Sequence, residues 1–82
     1  MTDEARTAEQ RTQDHTAMGH SVDLINDIVA GNQDDLDAAD RQDIVDRNVE
    51  HLQLMVAKTD WDGEDMTASN SAITAGQGYT AV

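Results

Sequence analysis

Two apolar stripes at helical spacing constrain this chain more than any other feature. Met18, Val22, Ile25 and Val29 step by four, three and four residues, and Val45, Val49, Leu52 and Val56 repeat the step. Such spacing places four side chains on one face of a helix. Each stripe covers about two heptads, too few for a free coiled coil. The pair therefore predicts an antiparallel helical hairpin. Gly31 and Asn32 lie between the stripes and supply a helix stop and a turn. The fold class is all-α.

The stripes have little else to pack against. Phe, Cys and Pro are absent, and Trp61 and Tyr79 are the only aromatic residues. Twenty of the 82 residues are Val, Ile, Leu, Met, Trp or Tyr, and 11 more are Ala. Burial yields roughly 25 cal/mol per Å², so an Ala adds little. A chain of this size draws only about 3–5 kcal/mol from its own core. Neither disulfides nor a Cys/His zinc cluster can make up the difference. The hairpin is therefore expected to be completed by oligomerisation or docking. Leu24, Leu36 and Leu54 lie outside both stripes and point the same way.

Boundaries follow from capping chemistry. The first helix is expected over about 2–30, capped by Thr2 or Asp3 and weakened at Gly19 by roughly 1 kcal/mol relative to Ala. The second is expected over about 34–58, with Asp34 or Asp35 as N-cap. Residues 1–60 thus form the hairpin, and 61–82 a short helix and a mobile tail. In that second segment Asp62 is the expected N-cap and Asp65 the third helical position. Trp61 and Met66 then form a hydrophobic staple. A helix from about Gly63 to Ala75 would end at Gly76.

Charge narrows the partners. Seventeen Asp and Glu face five Lys and Arg, a formal net charge of −12. No basic face exists to release counterions from a nucleic-acid backbone, so no direct nucleic-acid binding is expected. Anionic membranes are disfavoured for the same reason, and no apolar run approaches the roughly 20 residues of a membrane span. The opening MTDEARTAEQ is too acidic and polar for a signal peptide. These features predict a soluble, non-secreted protein whose partners are other protein chains.

The sequence offers catalysis and metal binding little footing. His15 and His20 are five residues apart, which does not align them on one helix face, and zinc ligands normally lie three or four apart. Aligning Asp62-Gly63 with a calcium loop puts Lys58 at the first ligand position and Ser69 in place of the bidentate Glu. Ser21, Ser69 and Ser71 sit in no nucleophile motif, and no glycine-rich phosphate loop is present. A non-enzymatic protein with no cofactor and no metal is expected.

The C-terminal stretch carries a resemblance. Asn48 to Lys58 reads NVEHLQLMVAK; it leads to Trp61, Glu64-Asp65-Met66-Thr67, Ala72-Ile73, Ala75-Gly76 and Tyr79. Over roughly the last 35 residues this resembles the C-terminal half of small proteins encoded by tailed bacteriophages. The resemblance implies a virion component, such as a capsid decoration or head-associated protein, located in the virion and in the host cytoplasm before assembly. Its partners would be capsid or head proteins, or copies of itself, bound in multiple copies. Met18, Val22, Ile25, Val29, Val45, Val49, Leu52 and Val56 are the expected interface residues, with Trp61 as aromatic anchor. The alternative from charge alone is an acidic DNA mimic or inhibitor that fills a basic groove of a host enzyme.

Overall fold

The computed structural model describes residues 7–59, 61 and 63–82. These fold into three helices: α1 (Ala8–Val29), α2 (Ala38–Val56) and α3 (Thr67–Gln77), with no strand among the described residues. The all-α expectation holds. The arrangement goes beyond a hairpin, because each helix packs against both others.

Local chemistry accounts for the helix ends. At the start of α1 the Thr7 side chain accepts from the Gln10 amide at 3.1 Å, and Gln10 Oε1 accepts from the Thr7 amide at 2.9 Å. This reciprocal capping box satisfies two backbone donors that the first turn leaves unpaired. The expected caps at Thr2, Asp3 and Asp62 lie outside the described residues. The α1 C-terminus closes when Gly31 donates to the Ile28 carbonyl and Asn32 to the Asp27 carbonyl, both at 3.0 Å. Gly31 takes φ 86° there, a left-handed conformation that a residue with a Cβ adopts only at a cost.

The second helix starts later than expected. Its N-cap is Asp37, not Asp34 or Asp35, and residues 34–36 form turn and bend instead. The third helix also starts late, at Thr67 rather than Gly63. Asp65 precedes it and accepts from the Thr67 amide at 2.9 Å. The helix runs through Gly76 and is capped at Gly78.

Direction follows from the contacts. His15 meets the backbone of Asp65 just before α3, and Ile25 lies close to Gly76 near its end. Helix α3 therefore runs parallel to α1 and antiparallel to α2. Met18, Val22, Ile25 and Ile28 of α1, Val45, Val49 and Leu52 of α2, and Ala72 of α3 form one buried core. Ile44, Met55, Val56, Trp61, Met66, Ile73 and Tyr79 pack around it.

The face that α3 turns inward is made of Ser69, Ala72 and Gly76. These small residues let its backbone approach α2 closely. A Cβ placed on Gly76 would collide with a Val49 methyl and lie 3.3 Å from a Val45 methyl. A large side chain on α3 would push the helix out and open the core.

The C-terminal residues lie against the start of α2. Gln42 Oε1 accepts from the Ala81 amide at 2.8 Å, and Gln42 Nε2 donates to the Tyr79 carbonyl at 3.4 Å. Arg41 Nη2 donates to the Val82 backbone oxygen at 2.9 Å.

Two glycines give opposite tests. Gly19 is inside α1, and a Cβ added there meets nothing within 4 Å. Gly19→Ala should raise stability by about 0.5–1 kcal/mol. Gly76→Ala should lower it by about 1–3 kcal/mol through overpacking, despite the better helix propensity of Ala. Urea denaturation of the two variants beside the parent chain measures both signs.

Candidate functional site

The nine residues expected at an interface separate into three groups. Met18, Val22, Ile25, Val45, Val49 and Leu52 are buried in the core of this single chain. In this conformation they cover one another and α3, and offer no surface to a partner. Val56 and Trp61 are half-buried at its edge. Val29 alone stands out in solvent, 41% exposed, while its neighbour Ile28 is buried. Within the single chain the two seams cover one another and the inward face of α3.

Val29 is left out for a topological reason. The end of α3 is level with Ile25, and the chain after Gly78 then crosses toward Arg41 and Gln42 of α2. Leu24 and Leu54 are also outside the core, at 42% and 63% exposed. Leu24 borders a shallow depression with Asp23, Asn26, Asp27 and Asn32.

The polar contacts that join the helices involve histidines. His51 Nδ1 of α2 shares a 2.8 Å hydrogen bond with the Ser21 hydroxyl, which is buried in the α1–α2 contact. A Ser–His pair can act as a nucleophile and base, but that chemistry needs an accessible hydroxyl and a third group orienting the imidazole. Ser21 is only 4% exposed, and among the described residues no carboxylate pairs with His51. The bond satisfies a buried hydroxyl.

His15 makes a denser contact. Its Nε2 lies 2.8 Å from the Asp65 carbonyl. A carbonyl only accepts, so Nε2 carries the hydrogen. Nδ1 faces Glu64 Oε2 at 3.5 Å, both side chains being about one-third exposed. The ring also meets Trp61 edge-on, with centroids 6.3 Å apart and planes at 68°. Trp61 Nε1 in turn donates to the Met55 carbonyl at 2.8 Å, in the last turn of α2. Trp61 is therefore anchored to the end of α2; with α3 starting at Thr67, Met66 is its N-cap rather than the fourth helical position expected of the staple.

The Asp65 carboxyl is held below the usual carboxylate range, first by the Thr67 hydroxyl, then by the Thr67 amide, with a smaller pull from His15. No group of three or more His, Cys, Asp or Glu among the described residues is arranged to hold a metal ion. Among the described residues no helix is long and apolar enough to cross a membrane. These cross-helix contacts join positions 30 and 50 residues apart, and no local motif announces them.

The outward face of α2 carries Asp40, Asp43, Asp46 and Glu50, all exposed, with Leu54 beyond them. At 1.5 Å rise per residue the acids follow one another every 4.5–6 Å, by about one helical turn. Arg47 interrupts the row and pairs with Asp43 at 3.1 Å. Comparison with known proteins adds no relative: no family model, curated protein or solved structure matches the chain.

Two substitutions probe these contacts. Ser21→Ala removes the hydrogen bond to His51 and should cost about 1 kcal/mol in urea unfolding. For Asp65, a carboxyl held low in the folded chain stabilises it above the unfolded value of 3.8, and that contribution is lost as pH falls through the folded value. The stability difference between the parent and Asp65→Asn should therefore shrink below about pH 4, as followed by denaturation at stepped pH.

Proposed function

We propose that this chain is a non-enzymatic binding protein that docks on other proteins of a phage particle, as a head-associated or decoration component present in multiple copies. The observation that carries the docking reading is the exposed apolar set of Leu24, Val29 and Leu54 on a chain whose own core is closed. Single exposed apolar residues are ordinary on protein surfaces. Here they stand out because the chain has so few large apolar residues and leaves these three out of the core. Leu24 beside its acidic depression and Leu54 at the end of the acidic row both suit a partner that meets an apolar anchor with basic groups around it. The phage assignment rests on the resemblance of the C-terminal stretch, from Asn48 to Tyr79. The bundle does not need a lattice to cover its seams, so such a component would dock as a preformed unit.

A second reading draws on the α2 row itself. Four exposed acids at one-turn intervals resemble a short run of phosphates and favour an inhibitor of a nucleic-acid-binding enzyme. Salt separates the two. Contacts made by carboxylates weaken steeply between low and moderate ionic strength, whereas contacts anchored by Leu24 and Leu54 persist.

The decisive measurement is mass spectrometry of purified particles from a producing culture. The docking reading expects the chain in the particles at a fixed stoichiometry, retained at moderate salt. It also expects Leu24→Asp with Leu54→Asp to remove the chain from particles without lowering its unfolding midpoint, because both residues lie outside the core. Free protein in the lysate, absent from particles, would refute a structural role.

A further inference from the structure

We propose that residues 79–82 form a strap, latched across the start of α2 by Gln42, that opens and closes while the three helices stay packed. Gln42 Nε2 donates to Asp46 Oδ1 at 3.0 Å, one turn along α2, and to the Tyr79 carbonyl at 3.4 Å. Its Oε1 accepts from the Ala81 amide at 2.8 Å. A carboxylate and a carbonyl only accept, and a backbone amide only donates, so a single orientation of the Gln42 amide serves all three partners. Asp46, on the same helix, thus sets Gln42 to meet a backbone acceptor and a backbone donor two residues apart. Arg41 adds the Nη2 bond to the Val82 backbone oxygen at 2.9 Å.

The strap joins the bundle in a different way from the helices. Helix α3 ends at Gln77, and residues 79–82 have left it. Tyr79 still donates its amide to the Gly76 carbonyl at 3.2 Å. Beyond it, among the described residues, the hydrogen bonds that fasten residues 80–82 come from Arg41 and Gln42. Tyr79 packs against the core, whereas Thr80 and Val82 are exposed. A segment with few buried contacts and few bonds opens at a lower free energy than the core does.

Two groups oppose closure. The Tyr79 hydroxyl and Arg41 Nε are buried without a hydrogen-bond partner. Burying an unpaired polar group forfeits its hydration. Both groups belong to residues of the fastening, and opening returns them to water. The bonds from Gln42 and Arg41 therefore close the strap, and the two unpaired groups weaken the closed state. Opening exposes the Tyr79 ring and frees the aligned donor and acceptor of Gln42.

Amide hydrogen exchange of the full chain, followed by NMR at fixed pH, tests the proposal. The Ala81 amide reports on the strap. The Ile25 and Val49 amides, inside α1 and α2, report on the bundle. Ala81 should be protected, yet exchange at least about ten-fold faster than Ile25 and Val49 relative to their intrinsic rates, and it should be insensitive to low urea. Gln42→Ala should speed Ala81 exchange about ten-fold and leave the other two unchanged. Tyr79→Phe removes the unpaired hydroxyl and should slow Ala81 exchange about two- to five-fold. An Ala81 amide without protection in the parent chain would refute the latch. One that accelerates with urea as steeply as Val49 would refute separate opening. No acceleration in Gln42→Ala, or one shared equally by Ile25 and Val49, would overturn the proposal. So would Ala81 exchange that is unchanged or faster in Tyr79→Phe.

Discussion

Close backbone approach at Gly76 is the constraint on which this bundle rests. The residues that helix α3 buries fully are all small, so it stabilises the core more by proximity than by bulk. Its Ser69–Ala72–Gly76 face lets the methyl groups of Val45, Val49 and Ile25 reach its backbone. Dispersion falls off steeply with distance, and a gap of a fraction of an ångström forfeits much of each contact. A chain with few large apolar residues can therefore still close a core, provided that one wall is thin. The eight buried core residues depend on that wall.

Much of the fold could be read from residue spacing. Met18, Val22 and Ile25, and Val45, Val49 and Leu52, fall where a heptad step puts them, and all six are buried. The step fails at Val29 because a seam drawn for one partner helix is too narrow for two. With α2 and α3 both against α1, the buried face widens to include Ser21 and Ile28. The inward face of α3 was illegible for a related reason. Ser, Ala and Gly carry almost no hydrophobic signal, and Gly76 reads locally as a stop. The late start of α3 arises from competing caps: the Asp65 side chain engages Thr67, so the first turn begins after Met66 instead of at Gly63. The cross-helix partners of His15 and His51 and the backbone contacts of Gln42 are non-local, and composition and periodicity carry no information about them.

The closed core changes how the surface is read. An open hairpin would have to bind through its seams, and binding would be coupled to folding. A closed bundle offers a partner only what is left outside. Here that is an acidic exterior with a few isolated apolar points. For a partner of the kind proposed above, charge would govern the approach and the apolar points how long it stays. The Asp65 carboxylate adds a further element before α3: its contribution is present above the unfolded value and is lost in acid.

The parallel run of α1 and α3 has a kinetic side. Contacts between α1 and α2 close a short turn around Gly31, whereas those between α1 and α3 join residues about 50 positions apart, as His15 and Asp65 do. Loop closure makes the near pairing fast and the distant one late. Helix α3, however, follows α2 after residues 57–66, a connector about as short as residues 30–37 between α1 and α2, so both antiparallel pairings are near and only the parallel one is distant.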